Sequence, residues 1–392
     1  MATFVIRELR ITFNNSNIPL LKKNTKSVDQ VGKKILIICP NPEGYVPGQR
    51  LKYEQYFENW RENGYSITIK PFISKSFQKI VYKNNHLASK FYHTILGYVS
   101  RINMLTQLRQ YDIVYIFLWV TPFGFPLFEM LYCAIAKRVI YDIDDLVYTT
   151  NKKAPWYSKL FKTKYKPIYL MKKAEHVITC TPYLDKFVRK YNSNTTDISS
   201  TVDTAKKYIC VNPYSNDKPL TIGWSGSHST IRYFVTIKNV LIAIQQKYPD
   251  IKIMVMGGSN IQIPDLRVES TEWSEEKEMA TLQSFDIGIY PLPNEQWVFG
   301  KSGLKAIQYM ALGIPTIATA IGTNFRVIEN GISGYLVNSE EEWIEKLILL
   351  IENPALRKKI GMGGRFKVEE FFSVDANKQK YLDAFNKLPP NN

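Results

Sequence analysis

The chain has 392 residues, of which 45% are hydrophobic and only four are Cys. That length exceeds one compact core and predicts two domains of an ordinary globular protein. No apolar run reaches the length of a membrane span, and Cys39, Cys133, Cys180 and Cys210 stand far apart without a CxxC or a His cluster, so neither a metal site nor a disulfide framework is supported. The cysteines read as reduced core residues of a cytosolic protein, and the start, Met1 to Glu8, lacks the basic-then-apolar plan of a signal peptide.

The net charge of +16 is unevenly spread: residues 213–392 carry 19 Lys+Arg and 20 Asp+Glu, which leaves 32 and 15 in residues 1–212. Between Glu62 and Asp112 there is no acidic residue, and Lys70, Lys75, Lys79, Lys83, Lys90, Arg101 and Arg109 are interleaved there with Phe72, Phe77, Tyr82, Phe91, Tyr92 and Tyr98. A second acid-free stretch, Leu146 to Ala174, holds eight lysines with Trp156, Phe161 and Tyr165. Basic side chains beside aromatics suit an anionic membrane face; nucleic acid or a plain solvated face are the rival readings.

Residues 1–32 are polar, rich in Asn and Lys, and read as an extension of uncertain order. From Lys33 strands and helices alternate. Ile35 to Cys39 is a buried strand, closed by Pro40, Pro42, Gly44 and Gly48. A helix over 49–63 presents Leu51, Tyr53, Tyr56, Phe57 and Trp60, and strands come next at 65–70 and 113–117. A helix at 125–136, strands at 138–141 and 176–179 and a helix at 182–191 continue the series. The polar stretch 192–203 weakens the pattern and Asn212 to Pro219 interrupts it, which places a domain boundary between 212 and 213. A second series has strands at 220–224, 251–256, 286–290 and 316–319, with helices at 231–247, 275–283, 302–312, 340–352 and 354–372 and a last one at 374–388. The alternation predicts an α/β chain of two doubly wound domains, 33–212 and 213–372, with ligands at the carboxyl ends of their strands.

The densest segment is Gly300 to Ala318. Ser302 and Gly303 sit where a loop becomes a helix, so backbone N–H groups without intrahelical partners and the positive end of the helix dipole point the same way. Lys301 and Lys305, one turn apart, add full charges for one anion. Ala306, Ile307, Met310 and Ala311 form the buried stripe, Gly313 ends the helix and Pro315 opens the next strand. An ordinary helix–strand unit explains the apolar positions but not the two lysines. Gly223-Trp-Ser-Gly226 is a second turn between strand and helix whose backbone can approach a diphosphate, or simply turn the chain. His228 beside it suits phosphate, acceptor or a helix start. Gly48 and Arg50 lie where the first strand's loop meets its helix, facing a donor from the other domain or forming a plain loop. Asp142, Asp144 and Asp145 close a strand at the expected cleft, positioning an acceptor or a loop, or capping the next segment; no further ligands at a recognisable spacing support a metal there.

In order along the chain, Val139-Ile-Tyr-Asp-Ile-Asp-Asp145, Ala174 to Leu184, Ile222-Gly-Trp-Ser-Gly-Ser-His-Ser-Thr230, the Gly300 segment, Ile321-Gly-Thr-Asn324 and Gly331 to Val337 resemble the motifs of the retaining family 4 glycosyltransferases (glycosyl transferases group 1), over about residues 33 to 388. The resemblance implies the GT-B architecture, two Rossmann-like domains facing a central cleft, with 33–212 as acceptor domain, 213–372 as nucleotide-sugar domain and 373–392 crossing back to the first. It implies that Ser225, Gly226, Ser302, Gly303 and Leu304 line the donor site, that N–H groups of Gly303 and Leu304 hold a diphosphate, and that Lys301 and Lys305 neutralise its growing charge, with Asp144 and Asp145 across the cleft. A UDP- or GDP-sugar is the implied substrate, with no obligatory cofactor or metal. The acceptor implied is a glycan, lipid-linked, in envelope polysaccharide assembly at the inner face of the membrane, without nucleic acid. Three positions depart from the family. Gly300 and Gln308 stand where two Glu are frequent, the second accepting from ribose hydroxyls, and Arg326 stands where Glu is frequent, reading otherwise as a surface arginine. These departures leave open a catalytically inactive homologue that binds or scaffolds.

Overall fold

The computed structural model describes residues 32–81, 83, 85–146, 165–210, 214, 219–227 and 230–389. The extension up to residue 31, Tyr82, most of the second acid-free stretch, the boundary at 212/213 and His228 lie outside the described residues.

Two six-stranded sheets, wholly parallel in every strand pair, organise the chain. The first contains β1 (Lys33–Cys39), β2 (Tyr65–Pro71), β3 (Ile113–Phe117), β4 (Val139–Asp142), β5 (His176–Thr179) and β6 (Thr195–Asp197) in the order β2-β1-β3-β4-β5-β6. The second contains β7 (Thr221–Ser225), β8 (Lys252–Met256), β9 (Glu269–Thr271), β10 (Ile287–Tyr290), β11 (Thr316–Thr319) and β12 (Tyr335–Val337) in the order β12-β11-β10-β7-β8-β9. Strands covered on both faces read as unbroken apolar runs, and β1 shows why. Ile35, Ile37 and Cys39 enter one core cluster while Leu36 and Ile38, one step out of phase, enter the cluster on the opposite face. β8 divides in the same way, Ile253 and Val255 to one side and Met254 and Met256 to the other.

The last helix, Val374–Asn386, lies against the first sheet's core rather than the second's. Its Tyr381, Leu382 and Phe385 pack with Tyr53, Trp60 and Tyr65. Phe385 meets Trp60 edge-on at 4.8 Å and Tyr65 at 5.2 Å, and Tyr381 OH donates to the Lys52 carbonyl at 3.1 Å.

Several elements differ from expectation. The helix expected over 49–63 is three short pieces, Pro47–Arg50, a 3-10 turn Glu54–Tyr56 and Phe57–Glu62. Polar side chains bend it: Gln49 bridges the Asn41 backbone and Glu54, and Lys52 turns inward to Asp142. The helix expected over 231–247 breaks into Ile231–Val235 and Lys238–Lys247, where the Thr236 hydroxyl donates to the Tyr233 carbonyl and competes with the backbone ladder. A 19-residue helix, Leu87–Leu105, occupies the acid-free stretch where no helix was expected. None of the described helices is long and apolar enough to cross a membrane.

Phe385→Ala removes an aromatic from the joint between the last helix and the first sheet. It is expected to cost about 3–5 kcal/mol of stability, read from urea unfolding midpoints. A change below roughly 1 kcal/mol would show that the helix is not part of that core.

Candidate active site

The site grows from the carboxyl ends of the two sheets. After β10 the chain runs through a 3-10 turn, Gln296–Gly300, into Gly303, whose φ of +77° starts the helix Leu304–Ala311. A side chain is doubly unwelcome at Gly303, because left-handed backbone strains it and a Cβ would approach Val327 to 3.0 Å. The cap carries no side-chain hydrogen bond, so the first N–H groups of the helix keep their donor capacity for something else. Ala306, Ile307, Tyr309 and Met310 are fully buried and hold the helix in place.

Two cavities open at this helix start and share Leu304 and Lys305. The larger, of about 710 Å³, is lined by Ser225, Gly226, Gln308 and residues absent from the sequence-based set, including Gly257, Trp273 and Glu278. The smaller, of about 230 Å³, brings Gly48, Asp144 and Asp145 of the first sheet against Lys301, Ser302 and Gly303 of the second. Gly48 is needed small there, since a Cβ would stand 3.2 Å from Asp144 Oδ2. Gly300 is likewise backed onto Leu146, whose Cγ would lie 2.6 Å from an added Cβ.

The electrostatics divide the two lysines. Lys301 Nζ pairs with Asp145 Oδ2 at 2.7 Å, both side chains about 40% exposed (40% and 39%). Burial works against the Lys301 charge, but Asp145 more than offsets it and holds the ammonium above its ordinary pKa. Lys305 has aromatic faces instead, with Nζ 4.9 Å from the Trp224 ring centroid and 5.7 Å from that of Tyr290. Burial, reinforced by Lys301, pulls its pKa down to about 7. Opposite, burial reinforced by Asp145 and Asp142 pushes the Asp144 carboxyl up to about 7.

Other expected residues take different places. Ser225 lines the cavity, but its N–H donates to Tyr309 OH at 2.7 Å, with the two hydroxyls 2.8 Å apart, and the Gly226 N–H donates to the Met256 carbonyl at 2.8 Å. Both therefore shape the wall while their amides are already used. Asp142 does not face the cleft as expected; it is fully buried, 3.5 Å from Lys52 Nζ and hydrogen-bonded by Tyr115 OH, which makes it structural. Arg50 lines neither cavity. It reaches into the second domain, with NH2 2.7 Å from Glu278 Oε2 and NH1 2.9 Å from Glu275 Oε1. Ser302 bonds to Ser200 at 2.9 Å. Arg326, read as a surface arginine, instead bridges to Asp197 of β6 at 2.6 Å.

Gln308 carries the main surprise. Its Nε2 donates to Tyr208 OH at 2.7 Å and to Glu278 Oε1 at 3.3 Å, so a carboxylate does reach this wall, from the helix Glu275–Gln283. Glu278 is 3% exposed and held from both sides, by Arg50 and by Gln308. Its sequence signal was only an acidic first turn, Glu275, Glu276 and Glu278 after the Ser274 cap, which reads as ordinary helix capping. Gly257, with φ of +117°, is the other residue missed; an added Cβ would stand 2.1 Å from the Gly226 carbonyl, and a Gly-Gly pair closing a strand was the available signal.

Comparison with known proteins agrees with the two-sheet architecture. Residues 220–353 match the family described as glycosyl transferases group 1. Among curated proteins, the trehalose synthase of Pyrococcus horikoshii is 31% identical over 87 residues, 22% of this chain and 21% of that protein. The D-inositol 3-phosphate glycosyltransferase of a Nocardioides species is 30% identical over 87 residues, 22% of this chain and 19% of that protein. The chain thus matches these relatives over only about a fifth of their length. Solved structures align far more widely. Sucrose-phosphate synthase of Thermosynechococcus elongatus superposes with a TM-score of 0.65 at 16% identity, over 91% of this chain and 99% of that one. The Anabaena protein HepE, in complex with UDP and glucose, gives 0.64 at 13% identity over 91% and 100%. The two parallel six-stranded sheets are thereby a GT-B fold.

Two outcomes are expected from the charges. Lys305 is about half charged at neutral pH, whereas a diphosphate beside it favours the ammonium. Binding of UDP above pH 7 is therefore expected to take up protons, fading below pH 6 where the lysine is already charged; calorimetry in buffers of different ionisation enthalpy reads this directly, and no uptake at pH 8 contradicts it. Gln308→Glu places a second carboxylate within reach of Glu278, and like charges so close cannot both ionise comfortably. Stability at neutral pH should fall by about 1–3 kcal/mol and recover toward acid as one carboxyl protonates, measured by thermal unfolding across pH. An unchanged midpoint would mean that Glu278 and residue 308 do not interact.

Proposed function

We propose, from the GT-B fold and the match of residues 220–353 to the glycosyl transferases group 1, that the chain transfers a sugar from a nucleoside-diphosphate donor to a glycan acceptor. The observation that carries this reading is the start of the Leu304–Ala311 helix, with Lys301 and Lys305, opening onto a 710 Å³ cavity on one side and the Asp144–Asp145 pair on the other. The nucleotide occupies the larger cavity, where Glu278, oriented by Gln308, accepts from ribose hydroxyls in place of the missing Glu. The diphosphate lies at the helix start, and the sugar enters the smaller cavity beneath Asp144 and Asp145.

Transfer proceeds with retention of configuration. The bond from the sugar's anomeric carbon to the diphosphate oxygen breaks, and the acceptor oxygen forms its bond on the same face. The acceptor proton passes to the departing diphosphate, so no protein nucleophile or metal is required. Negative charge grows on that diphosphate, and the pair of lysines meets it in a site already shielded from water. Lys305 is adapted to this, since its ammonium is least stable in the empty cleft and most stable beside an anion. Lys301 exchanges Asp145 for the diphosphate, which leaves Asp145 to orient the acceptor with Asp144.

A UDP- or GDP-sugar is the donor, and the HepE complex, which holds UDP and glucose, supports the first of these. A lipid-linked glycan in surface polysaccharide synthesis, at the inner face of the membrane, is the acceptor class, supported by the two basic, acid-free stretches of the first domain. The inactive-homologue reading rests on Gln308 and Arg326; against it, the Glu278 carboxylate stands beside Gln308, and Arg326 is paired with Asp197.

A panel of nucleotide sugars read by thermal shift tests the donor, because a ligand that binds the folded cleft raises the melting temperature by mass action. Stabilisation by one UDP- or GDP-sugar, followed by turnover with an acceptor mixture, is expected. Lys301→Ala and Lys305→Ala should each lower kcat by roughly 10²–10³. Donor binding without turnover under any acceptor would favour a binding subunit, and absence of both would reject the reading.

A further inference from the structure

We infer that the outer face of the Leu87–Leu105 helix is a docking surface for an anionic lipid bilayer. Most surface helices turn their apolar stripe inward; here the solvent side is apolar as well. Leu87 (81% exposed), Phe91 (70%), Ile95, Val99 and Ile102 recur every three to four residues along that side, with Tyr92 (59%) next to Phe91. The opposite face is fixed to the domain. Gly97 lies against the Phe72 ring, closely enough that an added Cβ would meet it at 2.6 Å. The buried Arg101 guanidinium donates to the carbonyls of Val120 (2.8 Å), Lys70 (3.0 Å) and Cys39 (3.1 Å). These contacts leave the helix no freedom to roll its apolar side inward. The face continues onto the next loop, where Phe123 and Phe125 are exposed and Tyr98 OH is bonded to the Phe123 carbonyl at 3.0 Å.

Charge selects the occupant. The segment from Glu62 to Asp112 contains no acidic residue between those ends, and Lys75, Lys79 and Lys83 are exposed just before the helix begins. A helix that holds apolar side chains toward solvent, with basic residues close by, binds where those side chains enter the acyl boundary and the cations meet lipid headgroups. A second copy of this chain is the poorer fit, because self-docking would bring two acid-free, basic surfaces together. The inference rests on the proposed membrane-linked acceptor for its purpose, and the experiment separates the two.

The full chain is mixed with phosphatidylcholine vesicles, with and without phosphatidylglycerol, and floated on a density gradient. The wild type is expected to float with the anionic vesicles at least ~10-fold better than with neutral ones, and less so as salt rises. The double variant Phe91→Glu/Ile95→Glu should lose that association while keeping its far-UV circular dichroism and its UDP affinity, since both side chains are exposed and remote from the cleft. The proposal falls if the wild type stays with the soluble fraction, or if the variant floats equally well. It also falls if the wild type is a dimer in solution that the substitutions dissociate, which would assign the face to a second copy. Flotation as expected, with no transfer to any lipid-linked acceptor, would reject the acceptor reading and leave the docking surface standing.

Discussion

The cleft depends on charges that pair across it. Arg50, at the first sheet, grips Glu275 and Glu278 of the second domain; Lys301 reaches back to Asp145, and Arg326 to Asp197. These contacts hold the carboxyl ends of the two sheets face to face, and every feature of the site is measured from that juxtaposition. The most buried of them, Arg50 with Glu278, is stabilised less by Coulomb attraction alone than by a hydrogen bond to each carboxylate oxygen, one from Arg50 and one from Gln308. Breaking either partner leaves a buried charge unanswered, so this pair fixes geometry more than it adds stability.

Burial then tunes what the cleft can do. Lys305 and Asp144 both sit near neutrality for the same reason, loss of water around a charge, reinforced in each case by a like charge close by. A lysine and a carboxyl that both titrate near neutrality can take up protons when an anion arrives beside them. The half-exposed Lys301–Asp145 pair behaves differently, because the carboxylate more than offsets the burial of the ammonium and keeps it charged. One lysine is thus held ready as a permanent cation and the other becomes one when needed.

Much of the fold was legible as periodicity. Parallel strands buried on both faces must be apolar throughout, so β1, β3, β7 and β10 announce themselves, and their spacing gives the two wound units. The short edge strands Thr195–Asp197 and Glu269–Thr271 carry polar residues and have one neighbour each, so they leave little pattern. The helix expected over 49–63 misleads because the same side chains that look amphipathic are recruited by distant groups: Lys52 by Asp142, Gln49 by Asn41. The helix Leu87–Leu105 hides for the opposite reason, since apolar residues on both of its faces blur a 3.6-residue period.

The site shows the same division. Gly303, Lys301 and Lys305 were readable because a helix start needs a residue tolerant of positive φ and an anion needs cations one turn apart, both local requirements. Glu278 could not be read, since only the packing of the Glu275–Gln283 helix against the Leu304–Ala311 helix brings its carboxylate to Gln308. Likewise Asp142, Asp144 and Asp145 are alike in sequence, and tertiary structure alone sends the first into the core with Lys52 and leaves the other two at the cleft. The sequence by itself determined the apolar strands of the two sheets and the helix start at Gly303 with its two lysines, because those depend on neighbours along the chain. Which carboxylate meets which cation, and therefore which groups are free to act, was decided by the packing of elements around one sheet against those around the other, because electrostatic partnership depends on distance in space and on exclusion of water.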